Sequence, residues 1–166
     1  MAQSPISKTT LHETKNPLPQ QARQELADML NGLLASSIDL RLRAKQAHWN
    51  LKGPSFIGLH ELFDSVAEDV NAGSDDIAER VVQLGGQAYG TVQAVASHTM
   101  FDSYDKEATD QMKHVETFTA DLATFIGRVN EATERAGELD PLTEDLLVEV
   151  GRTLGLRLYF LESHLK

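Results

Sequence analysis

The chain has 166 residues, enough for one domain with a sizeable core, and its 25 Asp and Glu against 15 Lys and Arg give a formal net charge of −10. That balance argues against a folded surface made for nucleic acid, and suits either attraction of cations or plain solubility. Cysteine is absent, which excludes disulfides, thiolate metal sites and cysteine nucleophiles, and no run approaches the roughly 18 apolar residues a membrane span needs.

Residues 1–17 are polar and aperiodic, with Pro5 and Pro17 among them, and read as a flexible arm ahead of a bundle spanning 18–166. The arm is mildly basic, with Lys8 and Lys15 against Glu13. It lacks the basic-then-apolar pattern of a signal peptide. With the missing thiols, this fits a cytoplasmic protein, and one that handles oxidants.

From about Pro19 to Asn50 a helical period runs through Leu26, Met29, Leu30, Leu33, Leu34 and Ile38, with Gly32 a weak point inside it. Gly53-Pro54 breaks it. Ser55 is placed to cap a second helix, from about Ser55 to Leu84, closed by Gly85-Gly86. Residues 87–106 form a connector in which Thr91 to Ser97 suit a short helix. A third long helix is expected from about Glu107 to Arg135, ended by Gly137. Asp140-Pro141 then starts a fourth, with Asp at the cap and Pro at the first helical position. Its buried stripe is Leu142, Leu146, Val150, Leu154, Leu158 and Leu161. No alternating strand pattern interrupts this order. The fold class is all-α: a four-helix bundle whose long crossover, between the second and third long helices, carries a short extra helix.

The second helix carries the chemistry. With His60 at zero and 100° per residue, Leu59, Phe63, Val66, Val70, Ile77, Val81 and Leu84 cluster on a core face around roughly 240–300°. Asp64, Asp75 and Glu79 fall near about 40°, 60° and 100°, forming with His60 a polar stripe beside that face. Histidine and carboxylate are ligands that iron favours, though zinc and manganese also accept them. Along the axis, however, His60 and Glu79 stand roughly 28 Å apart, and Asp64 and Asp75 roughly 16 Å. Metal–ligand bonds are about 2.0–2.6 Å. If the helix is continuous, its two halves cannot serve one ion within one chain. Two copies packed antiparallel about a twofold axis can, each interface then holding two equivalent sites. His48 precedes the Gly53-Pro54 break and can fold back beside His60. The set is therefore His48, His60 and Asp64 from one subunit and Asp75 and Glu79 from its partner. A solvated polar face would carry similar residues. The Glu-x-x-His signature of intrasubunit di-iron bundles is absent: none of the six histidines has Glu three residues before it. His12, His98, His114 and His164 show no ligand spacing and read as surface or packing residues.

These residues lie in the run Lys45-x-x-His48-Trp49-Asn50-x-x-Gly53-x-x-Phe56-x-x-x-His60-x-x-Phe63-Asp64, followed by Asp75-x-x-Ala78-Glu79-Arg80. The run resembles that of Dps proteins, the miniferritins. So do Leu84-Gly85-Gly86-x-x-x-Gly90-Thr91 and the ending Leu158-Tyr159-Phe160-Leu161-Glu162-Ser163-His164-Leu165. The likeness spans roughly residues 10–166. It implies a ferritin-like bundle, twelve of which build a hollow homo-dodecamer from twofold dimers. It also implies a ferroxidase that oxidises Fe(II) with hydrogen peroxide or dioxygen and stores Fe(III) mineral inside, protecting DNA and cell from oxidative damage.

The resemblance carries the metal ligands to His48, His60, Asp64, Asp75 and Glu79, with room for two irons. It places Trp49 beside the site as a sink for stray oxidising equivalents; on its own, a tryptophan at a helix end reads as core. Acidic residues at the start of the fourth helix, Asp140, Glu144 and Asp145, correspond to a region that lines threefold pores in related shells. Helix capping and dipole pairing explain the same acids. The alternative function is a nucleoid-associated protein that compacts DNA through the arm, with Lys8 and Lys15 as contacts. One arm would bind weakly, twelve together by multivalency.

Overall fold

The computed structural model describes residues 8–165. Five helices follow in order: α1 (Gln20–Asn50), α2 (Phe56–Gln83), α3 (Val92–His98), α4 (Gln111–Gly137) and α5 (Pro141–Glu162). Helix α1 packs against α2 and α4 against α5, while α1–α4 and α2–α5 contacts close a four-helix bundle. The short α3 lies on α1, within the crossover from α2 to α4. A short turn makes α1 and α2 antiparallel neighbours. The crossover runs back along the bundle, because α4 begins where α2 begins: Lys52 pairs in parallel with Asp110 at that end.

The core face expected of α2 is present in full. Leu59, Phe63, Val66, Val70, Ile77, Val81 and Leu84 are all buried. Phe63 meets Phe118 of α4 edge to face, with ring centroids 5.4 Å apart, the arrangement that aromatic quadrupoles favour. Helix α2 ends in a Schellman closure: Gly86 N–H donates to Val81 O and Gly85 N–H to Val82 O, both at 2.9 Å. Gly85 has φ +85°, a conformation that excludes most other residues.

Several expectations are corrected. Helix α4 starts at Gln111 rather than Glu107, because Asp110 takes the cap position and accepts from Lys113 N–H at 2.9 Å. Ser55 sits at the start of α2, but its side chain makes no capping bond. Leu142, expected in the stripe of α5, is exposed.

Residues 8–17, expected within a flexible arm, are docked. Thr9 is buried and gives its N–H to Asp28 Oδ1 (2.6 Å). The buried amide of Asn31 ties Thr9 Oγ1 (2.9 Å) to the connector at Gln87 O (3.0 Å) and Tyr89 N–H (3.0 Å). His12 N–H bonds Gly85 O at 2.7 Å. Residues 1–7 of the expected arm lie outside the described residues. No helix among the described residues is long and apolar enough to cross a membrane.

Candidate metal centre

His48 lies near the end of α1 and His60 in the second turn of α2. The turn between them brings the imidazoles face to face, with centroids 3.7 Å apart and planes 22° from parallel. Each ring is fixed by the other's backbone. His48 Nδ1–H donates to His60 O at 2.7 Å, and His60 Nδ1–H donates to His48 O at 2.8 Å. A carbonyl can only accept, so both rings carry their proton on Nδ1. In the neutral ring Nε2 is then the nitrogen with the free lone pair, the one a metal ligand uses.

Asp64 stands one turn after His60 on the same side of α2. Lys45, one turn before His48 on α1, donates to its Oδ1. That hydrogen bond holds the Asp64 carboxyl below the usual carboxylate range against the opposing effect of desolvation. A cation arriving at Asp64 therefore meets an ionised carboxylate already shared with an ammonium. The Lys45 Nζ also lies 5.8 Å from the centre of the Trp49 ring. Trp49 is 64% exposed, so it is not a core tryptophan. It borders the site's face.

Asp75 and Glu79 project from the far half of α2, both exposed. Among the described residues no group of three His, Asp or Glu side chains of one chain converges to hold a metal ion. Helix α2 is unbroken from Phe56 to Gln83, which meets the condition on which the two-subunit reading rests.

The pore assignment fares differently for its three acids. Asp140 is buried and caps α5, accepting from Leu142 N–H (3.3 Å) and Thr143 N–H (3.1 Å), and it pairs with Arg80 of α2. It is committed inside the chain and does not line a pore. Glu144 is half-buried and sits over Gly137. Only Asp145 is fully available on the surface. Lys8 and Lys15 are both exposed.

His114 is a packing residue, as expected. It is buried, with Nε2–H donating to Ala108 O at 3.0 Å and Nδ1 accepting from the Tyr104 hydroxyl at 2.9 Å. Neither nitrogen is open to a metal. Sequence reasoning missed the residues that hold the His48–His60 turn in place. Chief among them is Gln111 of α4, whose Oε1 accepts from Ser55 N–H at 3.0 Å.

A ferritin-like domain model matches residues 27–166. The chain is 42% identical over 158 residues to the DNA protection during starvation protein of Agrobacterium fabrum, covering 93% of this chain and 96% of that one. It belongs to the Dps family of ferritin-like proteins. The protein of the same name from Mycolicibacterium smegmatis is 31% identical over 149 residues, covering 90% of this chain and 81% of that one. Among solved structures, DpsA14 from Streptomyces coelicolor superposes with a TM-score of 0.91 at 33% identity, over 96% of this chain and 95% of that one. The Dps fold thus extends over essentially the whole chain, and His48, His60, Asp64, Asp75 and Glu79 all fall within the matched domain.

Proposed function

We propose that this Dps protein oxidises Fe(II) at sites shared between twofold-related subunits and keeps the Fe(III) product inside a dodecameric shell. The observation that carries the reading is the symmetry of α2. His60 with Glu79, Asp64 with Asp75, and the exposed Ile57 with the exposed Val82 each straddle one point, midway between Asp69 and Val70. Ile57 and Val82 fall near about 60° and 40° on the scale that puts His60 at zero, on the same stripe as the acids. An antiparallel copy of α2 crossing at that point brings every member of these pairs opposite its mate. Imidazoles then face acids twice, with an apolar contact at each end.

In that arrangement His48 and His60 offer neutral Nε2 lone pairs to Fe(II), and the carboxylates of Asp64, Asp75 and Glu79 favour the harder Fe(III). Two Fe(II) held together give up one electron each. Hydrogen peroxide takes both electrons with two protons and becomes two waters, so no hydroxyl radical is released. Dioxygen is the competing oxidant. Exposed Trp49 at the edge of the site is suited to absorb a stray oxidising equivalent. Few protein ligands leave positions open for the oxidant.

The protective name shared by the relatives fits a cytoplasmic, nucleoid-associated protein that removes iron and peroxide together. The alternative, DNA compaction as the primary role, draws on the exposed Lys8 and Lys15 but works against the net charge of −10.

The test is the double variant His48→Ala with His60→Ala. Rapid peroxide-driven iron oxidation should disappear while the shell mass stays unchanged. Oxidation at the wild-type rate in that variant refutes the assignment. DNA compaction that survives in it beside a wild type lacking iron oxidation supports the alternative.

A further inference from the structure

The stacked His48–His60 pair depends on the turn that separates α1 from α2, and that turn is closed from outside. The last bond of α1 is Leu51 N–H to Ala47 O at 3.0 Å, and the first of α2 includes Leu59 N–H to Ser55 O at 3.1 Å. Between them the chain makes only one bond of its own, Phe56 N–H to Gly53 O at 3.2 Å. Three others come from the segment entering α4. Lys52 N–H donates to Thr109 O at 2.7 Å, Gln111 N–H donates to Lys52 O at 3.1 Å, and Ser55 N–H donates to Gln111 Oε1 at 3.0 Å.

Gln111 is buried, and its side chain runs over Gly53. A Cβ on residue 53 would lie 2.3 Å from Gln111 Cδ, and φ at Gly53 is +156°. The glycine and the glutamine therefore fit one another: the missing side chain makes room for the amide that holds Ser55. Ser55 starts the helix that carries His60, and Lys52, just past the helix that carries His48, pairs with the Gln111 backbone, so Gln111 braces the turn across which the two imidazoles bond each other's carbonyls.

We propose that Gln111 is a positioning residue for the metal site, acting through the turn so that the start of α4 sets the geometry of the His48–His60 pair. This rests on the iron-site reading above. The Ser55 side chain makes no capping bond to α2, so the Gln111 oxygen on Ser55 N–H is the side-chain bond that holds the cap residue in place. Loss of that oxygen loosens the turn at Ser55 without touching a proposed ligand.

The test uses Co(II) as a redox-silent probe, titrated anaerobically into the assembled iron-free protein and followed by its visible spectrum. Hydrogen–deuterium exchange over residues 51–60 is measured on the same samples. Gln111→Met keeps the side chain's length and removes the acceptor; Gln111→Glu keeps the acceptor. The methionine variant should weaken Co(II) binding by about tenfold or more, alter the spectrum and speed exchange at the start of α2. The glutamate variant should retain wild-type behaviour in all three. If Gln111→Met does not assemble, Gln111→Asn, whose oxygen falls one carbon short, carries the same expectation. Wild-type Co(II) affinity and spectrum in an acceptor-less variant overturn the proposal, as does equal impairment of Gln111→Glu. A wild type that takes up no Co(II) counts against the iron site itself. Exchange then decides the clamp alone, and unchanged exchange without the acceptor overturns it.

Discussion

His48 and His60 each give Nδ1–H to the other's backbone carbonyl, whereas His114 gives Nε2–H to Ala108 and takes the Tyr104 hydroxyl on Nδ1. The hydrogen bonds separate proposed ligand from strut: the first pair keeps Nε2 unbonded, and the third histidine has both nitrogens bonded. Burial pushes the His114 imidazole below its ordinary range, and the bond to Ala108 with the charges of Asp105 and Asp110 only partly opposes this. Burial, with the charge of Asp121, pushes the Tyr104 phenol up, so Tyr104 remains the donor. A proton on Nδ1 of His114 would cost that bond. The unfolded chain binds this proton at about pH 6.5 and the folded chain only below that. Stability from this group is therefore complete above about pH 6.5 and declines as pH falls toward the folded value. Melting temperature should drop on acidification through this window, and His114→Gln should remove that part of the slope. Identical pH profiles for the two proteins would contradict it.

At the scale of helices, α2 and α5 are locked by a buried pair. Arg80 Nη2 reaches Asp140 Oδ2 at 2.5 Å and Arg80 Nε donates to Thr143 Oγ1 at 2.9 Å. Glu79, the residue before Arg80, faces outward from the helix that this pair anchors. Arg80→Ala strands a buried carboxylate and should cost about 3 kcal/mol in denaturant unfolding. Adding Asp140→Asn should return much of the loss, because the stranded charge is gone; a strictly additive double variant would deny the coupling.

The helices themselves are legible from sequence. All seven apolar residues predicted for the core face of α2 are buried, because one period of 3.6 decides both the helix and its inner side. The Gly85-Gly86 stop and the Asp140-Pro141 start follow from local chemistry in the same way. What sequence could not supply are pairings between distant residues. Arg80 and Asp140 are 60 positions apart, and Ser55 and Gln111 are 56. Acids at a helix start look alike in sequence, and Asp140, Glu144 and Asp145 form one group there; only packing distinguishes the buried cap from the exposed Asp145. The docking of residues 8–17 was hidden likewise, since it depends on Asp28 and Asn31 rather than on any period of its own.

At the scale of the whole molecule, one chain alone leaves large apolar side chains exposed. Trp49, Ile57 and Val82 stand 60–64% exposed along the face that bears the proposed metal ligands, and Leu142, Leu156 and Tyr159 are exposed on α5. Apolar surface of this kind is what contact with further copies of the chain would cover. It agrees with an assembly whose chemistry belongs to the interface rather than to the chain. Three of the five proposed ligands lie at one end of α2, with His48 on the adjoining α1, and two at the other, so on that proposal neither end acts without a neighbour. The most direct test is complementation between two inactive variants. One carries His48→Ala with His60→Ala, the other Asp75→Ala with Glu79→Ala, and each should oxidise iron no faster than the uncatalysed reaction. In shells assembled from an equal mixture, half the twofold pairs are mixed, and each of these holds one complete site and one empty one, so about a quarter of the wild-type rate should return. Mixed shells as inactive as their parents would contradict a site built from two subunits.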